Sequence, residues 1–157
     1  MSDELTHIDP QGNAVMVEVG DKQVTKREAT AEGWIQLTAD GYNAITEGRI
    51  KKGDVLAIAQ LAGIQAAKRT SDIIPLCHPL PLEGVKVTLE AIEDNRVHAS
   101  ARIRCTWKTG IEMEALTSVS AALLTVYDMC KAIDKGMVIG PIQLVEKSGG
   151  RSGHWSR

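Results

Sequence analysis

Alternation of apolar and polar positions is clearest in the middle of the chain. Apolar and polar side chains take turns over residues 85–89, and they do so again over residues 97–105. A period of two is typical of a strand with one buried face, and the Asp94-Asn95 pair between the two segments favours a tight turn. The pattern therefore predicts an antiparallel hairpin.

Two further strands are predicted on either side of this hairpin in the sequence. Residues 29–37 alternate in the same way, although Thr25 and Glu28 match a capping box that would start a helix over residues 26–32. The alternation favours the strand over that helix. A last strand is predicted over residues 138–146.

Helical spacing of apolar residues marks three segments. The first covers residues 38–47 and is closed by Gly48, and the second covers residues 55–68 behind the N-cap residue Asp54. The third covers residues 112–134. The apolar positions at helical spacing are Val55, Ile58, Ala59, Ala62 and Ala66 in the second and Leu116, Val119, Leu123, Val126, Cys130 and Ile133 in the third. These stripes predict two amphipathic helices.

The order of these elements predicts the fold. After an N-terminal extension with a short extended stretch at residues 13–19, the elements run strand, helices, strand, strand, helix, strand. This is the β-α-β-β-α-β layout of a ferredoxin-like α+β sandwich with an antiparallel sheet. The 157 residues suit a single domain, in which residues 1–12 and 148–157 are expected to be flexible in the absence of ligand.

Composition narrows the range of partners. Apolar residues make up 43% of the chain but aromatic residues only 3%, with no Phe, so aliphatic side chains and Met must fill the core. A formal net charge of −2 argues against binding to nucleic acid or to an anionic membrane. An RNA-binding sheet would also display stacking aromatic residues. Any anion site must therefore be local.

The cysteines and the N-terminal residues indicate a cytoplasmic protein. Cys77, Cys105 and Cys130 are odd in number and lack CxxC spacing, so neither a disulfide framework nor a zinc ribbon is predicted. The first ten residues contain no apolar segment of a signal peptide, and no apolar run is long enough for a membrane span.

A proline-rich loop holds two candidate functional side chains. Within residues 74–81, Cys77 and His78 stand between prolines that keep the chain extended. His78 suits a hydrogen bond to phosphate or a proton transfer near neutral pH, and a structural histidine in a turn fits the spacing equally well. No second histidine follows at metal-ligand spacing, so no metal site is predicted.

The third predicted helix carries carboxylates near both ends. Asp128 and Lys131 are three residues apart and share one face, where they form either an acid–base pair or a solvated ion pair. The apolar run before Asp128 favours a partly buried carboxylate with a catalytic role. Glu112 and Glu114 stand where they stabilise the helix dipole, and they could hold a divalent cation through waters.

Basic residues recur at turns and at the ends of elements. Residues 147–150, Lys-Ser-Gly-Gly, free the backbone to face an anion but lack the P-loop pattern, and residues 51–54 form a basic turn before a helix. The candidate cations are Lys51, Lys52, Lys68, Arg69, Lys131, Lys147 and Arg151. If they converge, the ligand is polyanionic.

Motifs spaced along nearly the whole chain carry a family resemblance. They are KGDV at residues 52–55, AGIQAAKRT at 62–70, IPLCHPL at 74–80, KTGIEMEALT at 108–117, YDMCKA at 127–132 and KSGG at 147–150. In this order they resemble the cyclic pyranopterin monophosphate synthase family, also called molybdenum cofactor biosynthesis protein C. At Glu18 the chain departs from the family pattern, in which an Asp is expected.

The resemblance implies an enzyme of molybdenum cofactor biosynthesis. Its substrate is (8S)-3',8-cyclo-7,8-dihydroguanosine 5'-triphosphate, a cyclised dihydro-GTP made by a radical S-adenosylmethionine GTP cyclase. Its products are cyclic pyranopterin monophosphate and pyrophosphate. No redox cofactor is expected, because acid–base catalysis and charge stabilisation suffice, and a divalent metal is compatible but not required.

The resemblance also implies an assembly and a set of site residues. The assembly is a homohexamer built as a trimer of dimers, with active sites at subunit interfaces. Asp128 is implied as the catalytic acid/base, with Lys131 as its partner and Lys52 contributing from the basic turn. The implied substrate-binding residues are Leu76, Cys77, His78, Glu112, Met113 and Glu114, with Lys68 and Lys147 as phosphate contacts. The alternative function is a non-catalytic nucleotide-sensing module of the same fold.

Overall fold

The computed structural model describes residues 7–157. This part of the chain contains five antiparallel strands and four helices. In chain order the elements are β1 (Thr25–Gln36), α1 (Ala39–Thr46), α2 (Val55–Ala67), α3 (Thr70–Ile73), β2 (Leu82–Ile92), β3 (Arg96–Trp107), α4 (Glu112–Cys130), β4 (Val138–Ser148) and β5 (Trp155–Ser156). The strand order across the sheet is β2-β3-β1-β4-β5, and all neighbouring strands are antiparallel. The predicted α+β fold of the ferredoxin-like type is confirmed.

β1 lies at the centre of the sheet. Residues 25–36 form this strand, as the alternation predicted, and the helix that the capping box would have started over residues 26–32 is absent. Ala29, Ala31 and Ile35 are buried on the same face of the strand, on which Gly33 also lies. Gly33, between them, lies so close to α4 that an added Cβ would stand 2.9 Å from Val119 Cγ1. The helix layer therefore packs directly on this strand.

The β2–β3 hairpin is confirmed, and its turn lies at the predicted residues. Asp94 and Asn95 both have positive φ, 61° and 55°, and lie in the three-residue connection between the paired residues Ile92 and Arg96. Residues 13–19, where a short extended stretch was predicted, contain no helix and no regular strand. Ile8 and Ala14 make one isolated bridge, and the segment pairs with no strand of the sheet.

The C-terminal segment returns along the edge of the sheet. β4 extends to Ser148, and the two residues of β5 pair with Glu146 and Lys147 of β4. The sequence did not predict β5, because two residues are too few to show a period. Residues 1–6 lie outside the described part of the chain, and the flexibility of both ends stays a prediction.

α2 and α4 pack side by side on one face of the sheet. Asp54 caps α2 as predicted, and its carboxylate accepts a hydrogen bond from the Ala57 amide at 3.1 Å. At the contact of the two helices, Ser118 Oγ donates to the Gly63 carbonyl at 2.8 Å. Ile58 of the predicted stripe is 39% exposed. The buried positions follow a spacing of four instead and are Val55, Ala59, Gly63 and Ala67.

α4 ends at Cys130, so the prediction of a helix that continues to residue 134 is wrong. Ile133, the last member of the predicted stripe, is 41% exposed. The cause is Asp134, whose buried carboxylate accepts hydrogen bonds from the Thr38 amide at 2.7 Å and the Gly136 amide at 2.9 Å. These bonds draw the chain after Cys130 away from the helix axis and toward the start of α1.

Aliphatic side chains fill the core between the sheet and the helices, as the composition predicted. The largest fully buried side chains include Ile35, Ile103, Ile111 and Leu123. Within residues 7–157, none of the helices combines the length and the apolar character needed to cross a membrane.

Candidate functional site

Two lysines and an aspartate form a cluster at the C-terminal end of α4. Lys131 Nζ lies 2.7 Å from Asp128 Oδ1, and Lys52 Nζ lies 3.0 Å from Asp128 Oδ2. Lys52 Nζ also donates to the backbone carbonyl of Asp128 at 3.0 Å. Because Lys52 belongs to the basic turn before α2, the packing of α2 on α4 brings this turn to the carboxylate. The three predicted catalytic residues are therefore in contact.

The cluster is open to solvent, which corrects one expectation. The side chain of Asp128 is 56% exposed, so the prediction of a partly buried carboxylate is wrong. Val126 and Met129 are buried, and Asp128 projects away from them. Hydrogen bonds from Lys131 and Lys52 hold the pKa of Asp128 below its ordinary value, and the bond to Asp128 raises the pKa of Lys131. At neutral pH the cluster carries one net positive charge.

A second group of predicted residues lines a cleft of about 260 Å³ at the N-terminal end of α4. His78 Nε2 donates a hydrogen bond to the Val17 carbonyl at 2.8 Å, which orients the ring and leaves Nδ1 for a ligand. The loop after α3 and the first turn of α4 supply most of the lining. All six predicted substrate-binding residues from these segments line the cleft: Leu76, Cys77, His78, Glu112, Met113 and Glu114.

Glu114 is the buried carboxylate of this cleft. Only 3% of the residue is exposed, and burial raises its pKa to about 7, with a further contribution from the charge of Glu112. Burial and the charge of Glu114 also raise the pKa of the Cys77 thiol, which is therefore not a reactive thiolate at neutral pH. The property that the sequence suggested for Asp128, a carboxylate with a pKa shifted by burial, belongs to Glu114.

A larger basic cavity of about 820 Å³ adjoins the cleft. Lys22, Thr109 and Gly110 line both spaces, which therefore meet. The cations that line the basic cavity are Lys22, Arg27, Lys108 and Arg151. Only Arg151 was among the predicted cations, because the other three are dispersed along the sequence and meet only in the fold. The one sequence signal for this cavity is Lys108, the first residue of the KTG motif at residues 108–110.

The two predicted phosphate lysines have different surroundings. Lys147 Nζ lies 3.5 Å from Glu112 Oε1 and donates a hydrogen bond to Ser152 Oγ. Glu112 lines the cleft and Ser152 lines the basic cavity, so Lys147 connects the two spaces. Lys68 is the exposed C-cap residue of α2. Among the predicted cations in residues 7–157, Lys51, Lys68 and Arg69 line neither space, contact no lining residue by an ion pair and lie outside the α4 cluster, whereas Lys147 lines neither space but contacts Glu112 and Ser152.

The loop before β1 supports the cleft through backbone contacts. Val17 accepts the hydrogen bond from His78, and the unexpected Glu18 accepts one from the Gly20 amide at 2.7 Å within the same loop. Glu18 thus stabilises the loop itself. Across the described residues 7–157, no three His, Cys, Asp or Glu side chains are grouped in a way that could hold a metal ion.

The two groups of candidate residues lie at opposite ends of α4. Glu114 and Asp128 are separated by fourteen positions of one continuous helix, which places their Cα atoms about 21 Å apart. A general acid or base acts at about 3 Å from the atom that gains or loses the proton. One reacting ring therefore cannot contact both groups of the same chain.

A carboxylate held between two lysines, a buried glutamate in a cleft and an adjoining basic cavity are features of a small-molecule enzyme of the α+β class. The chain belongs to the MoaC family, whose family model matches residues 16–150. The resemblance carried by the sequence motifs is thereby confirmed.

Three relatives of nearly the same length bear one name, cyclic pyranopterin monophosphate synthase. The protein of Heliobacterium modesticaldum is 56% identical over 157 residues, which cover 99% of this chain and 98% of the relative. The protein of Desulfitobacterium hafniense is 54% identical, covering 98% of this chain and 94% of the relative. The protein of Brevibacillus brevis is 53% identical, covering 100% and 98%.

Lys147→Ala is expected to weaken substrate binding more than it slows turnover. Lys147 bridges Glu112 and Ser152 and lies too far from the Asp128 cluster of its own chain to exchange protons with it. Loss of a charge-assisted hydrogen bond corresponds to about tenfold or more in Kd. Titration of the substrate and single-turnover kinetics measure both quantities, with Lys86→Ala as the control. A large loss of turnover at saturating substrate with unchanged Kd would contradict this role.

Proposed function

We propose that this chain is a cyclic pyranopterin monophosphate synthase of molybdenum cofactor biosynthesis. It converts the cyclised dihydro-GTP to cyclic pyranopterin monophosphate and releases pyrophosphate. The family membership and the name of three nearly full-length relatives support this proposal. The structural observation that carries it is the contact of Asp128 with both Lys52 and Lys131.

The Asp128 cluster supplies the proton transfers that the conversion needs. Ring opening, rebuilding of the pyran ring and closure of the cyclic phosphate move protons between nitrogen and oxygen atoms. Asp128 is a carboxylate at neutral pH and accepts a proton, while Lys131 is an ammonium group and donates one. Lys52 stabilises negative charge that develops beside them. Because these steps involve no oxidation or reduction, we expect the reaction to proceed without a redox cofactor.

The direct test is to incubate the purified protein with the cyclised dihydro-GTP and to measure pyranopterin product and pyrophosphate. The expected result is formation of both in equal amounts. A nucleotide-sensing module of the same fold would bind the nucleotide and leave it unchanged. Saturable binding of the nucleotide with no product would therefore contradict the enzyme assignment and support the nucleotide-sensing module.

We further propose that each active site is shared by two copies of the chain. The separation of Glu114 from Asp128 along α4 is the first argument, because the cleft of one copy needs an acid–base cluster from elsewhere. Exposed apolar side chains on the helices are the second. Ile58, Leu61 and Leu124 are exposed by 39%, 65% and 60%, which is costly in an isolated chain and suits an interface. The trimer of dimers implied by the resemblance is the assembly that we expect.

We expect Glu114→Gln to be inactive like Asp128→Asn, because Glu114 is the buried carboxylate that lines the cleft, and complementation between the two variants tests the shared site. Asp128→Asn and Glu114→Gln chains are co-expressed with different tags, and mixed oligomers are isolated over both tags. A shared site combines Glu114 from the first variant with Asp128 from the second, so random pairing restores about a quarter of the wild-type activity. Each variant alone serves as the control. If both residues acted within one chain, the mixture would be as inactive as its components.

The remaining proposals concern the surroundings of the enzyme. The substrate contains a bond between C3' of the ribose and C8 of the base, and forming that bond is radical chemistry. We therefore expect a radical S-adenosylmethionine GTP cyclase to act before this enzyme. The three cysteines are free, with Cys105 and Cys130 buried, which fits a reducing compartment such as the cytoplasm.

A further inference from the structure

Asp134 is a buried carboxylate that belongs to neither group of candidate residues. Its Oδ2 accepts a hydrogen bond from the Thr38 amide at 2.7 Å, and its Oδ1 accepts one from the Gly136 amide at 2.9 Å. Among the described residues, no Lys, Arg or His side chain lies within 4.0 Å of these oxygens. Burial of a carboxylate without a cation is costly unless hydrogen bonds compensate, so the two amides hold Asp134 at this position.

The start of α1 packs closely against this carboxylate. Thr38, the N-cap residue, donates its amide to Asp134 and accepts the Gly41 amide with its hydroxyl at 3.2 Å. Gly41 is buried in the first turn, where an added Cβ would stand 3.1 Å from both Cβ and Oδ2 of Asp134. Glycine lowers the stability of a helix, and here it allows the close approach of the carboxylate. The negative charge also lies at the positive end of the helix dipole.

α1 connects Asp134 with the basic turn that carries Lys52. After the helix, the Arg49 amide donates to the Ala44 carbonyl at 2.9 Å, and the chain then reaches the basic turn through the buried Ile50. The start of α1 and the basic turn are therefore parts of one short and closely held segment.

Asp134 also follows the other two members of the acid–base cluster along the chain. It stands three residues after Lys131, and its amide donates to the Cys130 carbonyl at 3.0 Å. One side chain thus joins the end of α4, which carries Asp128 and Lys131, to the segment that carries Lys52. Burial raises the pKa of the Cys130 thiol to about 11, the charge of Asp134 raises it further and that of Lys52 lowers it. Asp134 and Lys52 therefore lie near the same thiol.

We propose that Asp134 is a positioning residue of the acid–base cluster, which holds Lys52 at its place beside Asp128 by joining the start of α1 to the end of α4. The assignment rests on the proposed function for the reaction that the cluster catalyses. The hydrogen bonds of the Asp134 carboxylate go to backbone amides, and among the described residues it forms no ion pair with a member of the cluster. It therefore acts through the position of Lys52.

Competitive acylation tests the position of Lys52 without any turnover. The oligomeric protein reacts with a trace of acetic anhydride, and mass spectrometry compares Lys52 with Lys51, an exposed lysine of the same turn. Asp128 engages Lys52 Nζ at 3.0 Å and shields it from the reagent. Asp134→Asn replaces one acceptor oxygen by an amide donor, so we expect it to raise the ratio of Lys52 to Lys51 acylation. Asp128→Asn, which removes the ion-pair partner itself, sets the upper limit of this rise.

Gly41→Ala disturbs the same contact from the other side. The added methyl group crowds Asp134, whereas alanine favours the helix, so this variant keeps the fold even where Asp134→Asn does not. We expect the same rise in the acylation ratio. Ser118→Ala is the matched control, because it removes a buried hydrogen bond to the Gly63 carbonyl at a contact that does not involve Asp134. Its acylation ratio should equal that of the wild type.

Kinetics relate this position to the reaction. Misplacement of a catalytic group by about 1 Å costs up to about a hundredfold in rate, so Asp134→Asn is expected to lower kcat about tenfold or more with little change in KM. In a chain that already carries Lys52→Ala, the same substitution should cause no further loss, because the two residues act as one unit.

An unchanged acylation ratio in Asp134→Asn and Gly41→Ala, or an equal rise in Ser118→Ala, would overturn the proposal and leave Asp134 with a role in stability alone. A raised ratio with a normal kcat would overturn its role in the reaction, and additive losses with Lys52→Ala would show that it does not act through Lys52. The acylation ratio is independent of product formation, so a failure of the proposed function is seen separately in the wild-type turnover assay.

Discussion

Asp128→Asn is expected to lower single-turnover product formation by about a hundredfold to ten-thousandfold, the usual contribution of a general acid or base. Asparagine keeps the shape of the side chain but cannot accept a proton or pair electrostatically with Lys52 and Lys131. The side chain is more than half exposed, so its replacement should leave the fold and the assembly intact. Product formation, melting temperature and substrate affinity are measured on the same preparation.

Asp94→Asn is the matched control for this prediction. Asp94 is also an exposed carboxylate in an ion pair, 3.6 Å from Arg96, and it lies in the hairpin turn away from both groups of site residues. Its replacement should leave turnover unchanged. Near-normal turnover of Asp128→Asn would show that Asp128 is not the general acid or base. A much lower melting temperature would show that Asp128 stabilises the fold.

Glu114→Gln is expected to make the protein more stable than the wild type at pH 8 and equally stable at low pH. Burial raises the pKa of Glu114 from 4.5 to about 7, so between these values the folded state binds more protons than the unfolded state. The free energy of unfolding of the wild type therefore falls as the pH rises through this window. The variant cannot ionise and avoids a loss of up to about 3 kcal/mol.

Denaturant unfolding of both proteins at pH 4.5 and pH 8 measures this difference, with the exposed Glu47→Gln as the control. A variant that is no more stable than the wild type at pH 8 would show that the pKa of Glu114 is not raised in the folded protein.

The elements predicted correctly from the sequence are those whose signals are local. The alternation around Asp94-Asn95 and the cap at Asp54 involve residues close together in sequence, and both predictions were confirmed. The end of α4 depends on the hydrogen bond from the Thr38 amide to Asp134, which joins residues 96 positions apart. Such a bond leaves no periodic trace, so the helix was predicted to be too long.

The candidate site shows the same division. The contact of Asp128 with Lys131 follows from their spacing on one helix, whereas the burial of Asp128 was inferred from its apolar neighbours and was wrong. Residues next to Asp128 in sequence, such as Met129, lie on other faces of the helix, so their burial does not imply that Asp128 is buried. The buried carboxylate of the candidate site, Glu114, lies in the first helical turn, where acidic residues are normally solvated. The cations of the basic cavity are far apart in sequence, and only the tertiary fold shows that they belong together.

The continuous α4 helix between Glu114 and Asp128 also limits the insertions and deletions that this part of the chain can accept. Each residue of an α-helix adds about 1.5 Å of length and about 100° of rotation. A one-residue insertion between these positions would turn the acid–base cluster away from the face on which it meets Lys52, although the helix itself would stay intact. The length of α4 between these two positions is therefore under a constraint that is separate from the identity of its side chains.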